Sequence, residues 1–266
     1  MGILNRYITI LRHLARNALM RQMAYRPHFF LMVTGKVVRI GLLILFFNAL
    51  FSQVDRLGSW TYDQVLLLFA TFHLVDFIIS FTFHRNLAFA LPAQVQSGDL
   101  DSRMLLPVNL LFLVSLEYID VQDFLSFLPT LGFAGYVLWR MEIPLTAPGV
   151  TLYLLLVVNA VVFLYAAVLA VASLSFWTTQ SRGLARVFDN LMKVGRYPLD
   201  IFRGAARAVF AYVLPLVLIA QVPTQALTGV LTPGGILFAF SFSAAALTFS
   251  LILWNKGLRT YSSAST

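Results

Sequence analysis

Hydrophobic residues along the chain form long runs that are separated by short polar stretches. Runs of about 20 apolar residues are typical of helices that cross a bilayer, because inside lipid every backbone amide must be satisfied within its own segment. The pattern therefore predicts an all-α, polytopic integral membrane protein with six transmembrane helices. The predicted spans are about 28–51, 64–90, 108–138, 150–178 and 235–255, with a sixth between 179 and 223.

Basic residues divide the loops into two classes. When the loops are assigned alternately to the two sides, Arg56 and Arg140 are the only basic residues outside, and the other 17 of the 19 Lys and Arg are cytoplasmic or at a cytoplasmic helix end. Cytoplasmic loops of membrane proteins carry such an excess of positive charge. Both termini are therefore expected in the cytoplasm.

Composition agrees with a membrane protein and narrows its partners. The chain is 59% hydrophobic and 11% charged, whereas a soluble domain carries about 25% charged residues. Its net charge of +8 could suggest nucleic acid, but the charges line predicted membrane edges, where anionic lipid headgroups account for them better. No nucleic-acid partner is expected, and without cysteine there is no thiolate metal site.

The N-terminal segment combines apolar and basic residues at helical spacing. Leu4, Ile8 and Leu11 lie on one face, with Arg12 and Arg16 on another. Such a pattern predicts an amphipathic interfacial helix over 1–26 that lies on the inner leaflet. A six-span domain over 27–260 and a cytoplasmic tail over 261–266 complete the expected organisation.

The loop at 97–107, between the second and third predicted spans, contains strong turn signals. Gly98 is expected to break the preceding helix, Asp99 is a good N-cap residue, and Pro107 ends or redirects the chain. About two turns of short helix remain between them. This predicts either a compact cytoplasmic projection or an ordinary tight loop.

Charged residues recur every three or four positions through 181–210, so one helix face is charged throughout. Two interpretations are open: an interfacial helix with the crossing made by about 207–223, or the fifth span itself, its charged face turned to a polar cavity. In the second interpretation a re-entrant element follows, through Pro215 and Pro223. The residues that would line the cavity are Arg182, Arg186, Asp189, Lys193 and Arg196.

Several ionisable residues fall inside predicted spans, where such residues face protein or water. His73 and Asp76 lie one turn apart, which favours a paired contact inside the bundle over a metal or proton site. Glu117, Asp120 and Asp123 either pair with the basic face at 182–207 or mark a proton path. Clusters of small residues at 166–173 and 241–246 favour helix packing within the bundle or, alternatively, a dimer seam.

Four features together resemble the transmembrane subunits of type-2 ABC exporters. One is the amphipathic N-terminal helix. The chain departs from the family at one position, Arg203, where a proline is expected. The other three, in order, are Gly98-Asp99-Leu100-Asp101 with Leu105-Leu106-Pro107, then Tyr197-Pro198-Leu199-Asp200-Ile201-Phe202 leading to Pro215 and Pro223, and the ending from Trp254 to Ala264.

This resemblance implies a permease of the bacterial cytoplasmic (inner) membrane that dimerises, alone or with a related permease, and docks two cytoplasmic ABC ATPase subunits. It implies that the fifth span faces the pathway and that the substrate is amphiphilic or anionic. Since the chain has no G-x-x-x-x-G-K-[ST] motif, ATP and Mg are expected on the partner and no cofactor on this chain. The implied coupling helix at 97–107 contains Gly98, Asp99, Leu100, Asp101, Arg103, Leu106 and Pro107.

Two other classes of function compete with this one. An ion-coupled secondary transporter would use the intramembrane His, Asp and Glu as a proton relay, and would be expected to show internal repeats. An intramembrane enzyme would need a converging catalytic constellation, which residue spacing here does not supply.

Overall fold

The computed structural model describes Thr9 and residues 26–118, 127–141, 146–178 and 181–262. The predicted N-terminal helix, Asp120, Asp123 and most of the tail lie outside these residues. Every element in the described ranges is helical. The α-helices are α1 Arg26–Phe51, α2 Tyr62–Thr82, α3 Leu91–Ser97, α4 Leu100–Met104, α5 Leu110–Leu116, α6 Phe127–Met141, α7 Ala147–Ser173, α8 Ser181–Met192, α9 Gly204–Ala208, α10 Gln221–Leu227 and α11 Pro233–Thr260.

Three helices are long and apolar enough to cross a membrane: α2, α7 with its short extension to Phe176, and α11. They confirm helices at the predicted runs 64–90, 150–178 and 235–255. Shorter apolar stretches lie in α1 and α6, and the region between α5 and α6 is outside the described residues. The chain is thus an all-helical membrane protein.

The two longest spans begin with the same device. Thr146 and Thr232 occupy the N-cap positions of α7 and α11, and each side chain accepts a hydrogen bond from a backbone amide three residues ahead. A proline follows in the first turn, where its missing N–H costs nothing. Polar cap residues next to proline therefore define where both spans start.

The core lies around α2 and α7. Phe69 on α2 is 1% exposed and packs edge-on against Phe47 of α1 and Phe133 of α6. On the other side of the bundle α7 packs along α11, with Ala160 and Ala239 fully buried. Both predicted small-residue clusters also contain buried residues, so they contribute to packing within the bundle over part of their length.

A bend divides α2 from the helical turns that follow it. Phe83 leaves ideal helix geometry with φ −116°, and Asn86–Ala90 form a π-helical segment before α3. Such segments are frequent at functional sites. The bend directs the chain from the second span into the Gly98 turn.

The chain between 181 and 227 forms no continuous span in its described residues. After α8 it passes through single turns at Lys193–Arg196 and Leu199–Ile201, then α9 and a π-helical turn at Val209–Val213. A last short turn at Leu216–Leu218 leads to α10. Pro198 and Pro215 lie at two of the breaks, because proline lacks the amide that a continuing helix needs.

Candidate coupling segment and charged cavity

The Gly98 turn ends α3 as its sequence predicts. Gly98 adopts φ +81°, a left-handed conformation that glycine enters without steric cost. The following helix, α4, has only five residues, which is shorter than the two turns expected. Asp99 occupies its N-cap position but makes no side-chain cap bond there; its carboxylate accepts from Ser97 Oγ at 2.6 Å instead.

One face of α4 is braced against the bundle. Leu100 is fully buried. Arg103 donates to both carboxylate oxygens of Glu117, with Nε to Oε2 at 2.9 Å and Nη2 to Oε1 at 2.7 Å. Gln94 Nε2 donates to the same Oε2 at 2.9 Å. The expectation that Glu117 pairs with the basic face at 182–207 is therefore wrong, because the fold brings Arg103 to it first.

The Arg103–Glu117 pair is a strong two-point contact. Paired hydrogen bonds between a guanidinium and a carboxylate fix geometry as well as adding energy. The hydrogen bond to Glu117 raises the pKa of Arg103, which keeps the guanidinium positively charged. Arg103, Glu117 and Gln94 thus hold the turn in one position.

Asn86 provides a second brace that the sequence does not reveal. It is fully buried in the π-helical segment. Its Nδ2 donates to the carbonyls of Thr82, Ser115 and Tyr118 at 2.8–2.9 Å, and its Oδ1 accepts from Tyr118 N. This side chain joins the end of the second span to the start of the third. A lone Asn in an apolar run was the only sequence signal.

The opposite face of the segment is apolar and exposed. Met104 is 46%, Leu105 85% and Leu106 47% exposed. We call these three residues the apolar tip. The implied set of coupling residues contained Leu106 but neither Met104 nor Leu105, although Leu105 belongs to the family motif and three consecutive apolar residues in a predicted loop were a usable signal.

The end of α11 lies beside this segment. Burial, and then the neighbouring carboxylate of Asp101, raise the pKa of Tyr261. The Tyr261 ring packs against Phe176 with centroids 5.9 Å apart, and Phe176 packs against Trp254 at 5.4 Å. The last helix, the end of α7 and the Gly98 turn therefore meet at one end of the bundle, called here the Gly98 end.

A cavity of about 150 Å³ separates α2 from α8. At its edge His84 Nε2 and Asp189 Oδ1 are 2.8 Å apart, which docks α8 onto the turn that follows α2. Lys193 lines the cavity and donates to Asn190 at 3.0 Å. The polar lining residues are Asp76, Ser80, His84, Asp189 and Lys193, and the apolar ones include Phe72, Leu164 and Phe188.

The predicted pathway residues divide into different environments. Asp189 and Lys193 face the cavity, whereas Arg186 is exposed and does not line it. Arg196 stacks on Tyr197, 5.1 Å from the ring centre. The side chain of Arg182 is outside the described part of the structure.

His73 and Asp76 also lie in different surroundings. Asp76 lines the cavity, while His73 is 8% exposed and packs edge-on against Phe69 with centroids 4.2 Å apart. Their predicted mutual contact stays a prediction. The structure adds His84, rather than His73, to the charged cavity.

Residues 181–201 run from one end of the bundle towards the other. Asp189 contacts His84, which lies just beyond the last residue of α2. At the opposite end, called here the Gly58 end, Asp200 accepts from Ser59 Oγ and from Arg207 Nη2 at 3.1 Å. Arg207 therefore lies at the same end of the bundle as Ser59, in the loop that contains Arg56. Charge alternation places Arg56 and Arg207 on opposite sides of the membrane, and that assignment stays a prediction.

After Asp200 the chain turns back along the bundle. Leu199 N donates to Gln221 Oε1 at 3.1 Å, and Thr224 Oγ1 donates to Thr71 Oγ1 at 3.4 Å. Thr71 lies midway along α2. The helix α10 thus packs against the middle of α2.

Arg39 is an ionisable residue that sequence analysis missed. It lies in the middle of α1 and is exposed. It lines a groove of about 400 Å³ with Gly35, Val38, Leu42, Leu43, Phe46 and Tyr197. An arginine halfway along an apolar run was a clear signal.

The family of the chain follows from a sequence match that covers most of its length, including all the elements from α2 to α11. A family model described as ABC-2 family transporter protein matches residues 37–265. The chain belongs to the ABC-2 transporter family. It is a type-2 ABC transporter permease, and the resemblance drawn from its motifs is confirmed. A comparison with curated proteins gave no match.

Proposed function

We propose that this ABC-2 permease is the transmembrane subunit of an ATP-driven exporter and that residues 97–107 couple it to separate ATPase subunits. The observation that carries the proposal is the apolar tip on a braced turn. Leu105 is 85% exposed, while Leu100, Arg103 and Asn86 tie the same segment to the bundle. A loop with no partner has no reason to combine both properties.

The bracing gives the coupling a physical basis. Movement of a docked ATPase reaches the spans only if the docking segment and the spans move together. Arg103 links the segment to the third span through Glu117, and the π-helical segment links it to the second. ATP binding on the partner then biases the permease between states through differences in contact.

The proposal includes six crossings and a dimer. Contacts of Asp189 at one end and Asp200 at the other support a broken fifth span at 181–201. The contacts of Leu199 and Thr224 support a re-entrant element after it. Two permeases and two ATPases form the working complex, in the bacterial inner membrane with both termini cytoplasmic, and the ATPases carry ATP and Mg.

The pathway in this proposal runs along the charged cavity and α1. Discontinuous helices near the bilayer midplane are where transporters place substrate sites. The alternative, an ion-coupled secondary transporter, loses one of its proposed relay groups because Glu117 is held by Arg103. The exporter proposal needs no relay.

The test is Leu105→Ser, with Val54→Ser as the matched control. Val54 is 40% exposed in the loop at the Gly58 end. Covering a leucine side chain is worth about 1.5–3 kcal/mol, so Leu105→Ser should weaken ATPase binding at least tenfold. The measurement is the affinity for the ABC ATPase that co-purifies from native membranes. Equal affinities in the two variants would reject the coupling assignment.

A further inference from the structure

We propose that the groove between α1 and Tyr197 binds the anionic headgroup of a membrane amphiphile, with Arg39 as its main contact. This inference rests on the proposed function, because it names the substrate class of the pathway along α1. No comparison or motif assigns this groove. It follows from the depth of Arg39, the shape of the groove and the charges around it.

Arg39 lies where an unaccompanied charge is costly. It is the fourteenth residue of a 26-residue helix, so at about 1.5 Å per residue it is roughly 20 Å from either end. Arginine near the centre of a bilayer pairs with an anion or faces water. Among the described residues no hydrogen bond or ion pair to Arg39 is present, and its exposed side chain lines an open groove.

The groove has the shape and chemistry of a lipid site. Val38, Leu42 and Phe46 form an apolar wall for a hydrocarbon chain. Gly35 deepens it, since a Cβ added there would meet nothing within 4 Å. No carboxylate lines the groove. A lipid whose anionic headgroup lies beside Arg39 and whose hydrocarbon chain lies along α1 matches both the charge and the apolar wall of the groove.

A second guanidinium adds to the positive field. Arg196 stacks on Tyr197, which forms the far side of the groove. Its Nε is buried and has no hydrogen-bond partner within the described residues. Guanidinium groups bind phosphate and carboxylate oxygens in pairs. The groove therefore favours a phosphate-headed or carboxylate-headed lipid over a zwitterionic one.

The test uses the absence of cysteine from the chain. Leu42→Cys, labelled with bimane, reports on the groove in lipid nanodiscs that contain the permease without ATPase. Brominated phosphatidylglycerol and brominated phosphatidylcholine are the two quenchers. Phosphatidylglycerol should reach half-quenching at about fivefold lower mole fraction, since each basic residue near anionic lipid contributes about that factor.

Two variants and two matched controls test whether Arg39 and the open groove cause the lipid preference. Arg39→Gln should abolish the preference, whereas Arg203→Gln removes the same charge from an exposed position outside the groove and should keep it. Gly35→Leu fills the groove and should reduce quenching by both lipids. Gly41→Leu adds the same side chain to α1 where there is also open space, and should leave quenching unchanged.

Other results would overturn the proposal. Equal quenching by the two lipids, or an unchanged preference in Arg39→Gln, would reject the anionic ligand. Protection from both lipids, together with a disulfide between two unlabelled Leu42→Cys chains, would identify a second copy as the occupant instead. Because no ATPase is present, the outcome is independent of the Leu105→Ser test, and either proposal can fail alone.

Discussion

The α7–α11 pair and the segment 181–227 lie in the same bundle but are held in place in opposite ways. Along α7 and α11 almost every backbone group is satisfied within its own helix, and Asn159 makes one buried side-chain contact between them, to the Ala239 carbonyl at 3.3 Å. The segment 181–227 is divided into short turns and depends on contacts such as His84–Asp189 and Ser59–Asp200. The continuous helices therefore form the scaffold of the bundle, and the broken segment carries the charged side chains.

That division has a physical reason. A continuous apolar helix crosses lipid at the lowest cost in free energy, because its backbone hydrogen bonds form within the helix and need no polar side chains. Breaks leave backbone groups unsatisfied, so they are tolerated where protein or water can reach them. The charged cavity and the Arg39 groove both adjoin the broken segment.

The largest effect is expected where the broken segment meets its support at the Gly58 end. Gly58 has φ +67°, and a Cβ there would lie 2.6 Å from Asp200 Cβ. Gly58→Ala therefore adds backbone strain of about 1–2 kcal/mol to an overpacking cost of about 1–3 kcal/mol. The thermal unfolding midpoint in detergent should fall clearly.

Gly229→Ala is the control for that change. Gly229 has φ +72° with nothing within 4 Å of an added Cβ, so the variant carries only the strain. Equal loss of stability in the two variants would mean that the Asp200 contact does not hold the broken segment.

A smaller effect is expected in the continuous pair. An added Cβ at Gly257 would lie 2.3 Å from Phe176 Cδ2, so Gly257→Ala forces the ring to move, at about 1–3 kcal/mol. Gly132→Ala, in open space on α6, is the control. Thermal unfolding measures both, and an unaltered midpoint in Gly257→Ala would show that the two helix ends are not closely packed.

The smallest effect concerns the docking of α8. His84 and Asp189 are about one-quarter exposed and 2.8 Å apart. A double-mutant cycle of His84→Ala and Asp189→Ala should give an interaction free energy of about 0.5–1 kcal/mol. Strictly additive single-mutant effects on unfolding would show that this pair does not dock α8 onto the turn after α2.

The turn at 97–107 was largely predictable from sequence because its signals are local. Gly98 and Pro107 mark the turn through backbone chemistry alone, and the left-handed Gly98 confirms it. The partners of the segment were not predictable. Arg103 meets Glu117 fourteen residues away, and Asn86 reaches Ser115 and Tyr118, since such pairings depend on how two spans lie beside each other.

The sequence by itself determined that this is a helical membrane permease of the ABC-2 family, because apolar run length and turn residues act within each segment. It could not decide between a fifth span and an interfacial helix at 181–204, since hydropathy averages over the breaks. Only the tertiary structure decided which charges meet. It brought Asp189 to His84 and Asp200 to Ser59, and it left Arg39 beside Tyr197 at the edge of an open groove, because contacts between distant residues follow from helix packing.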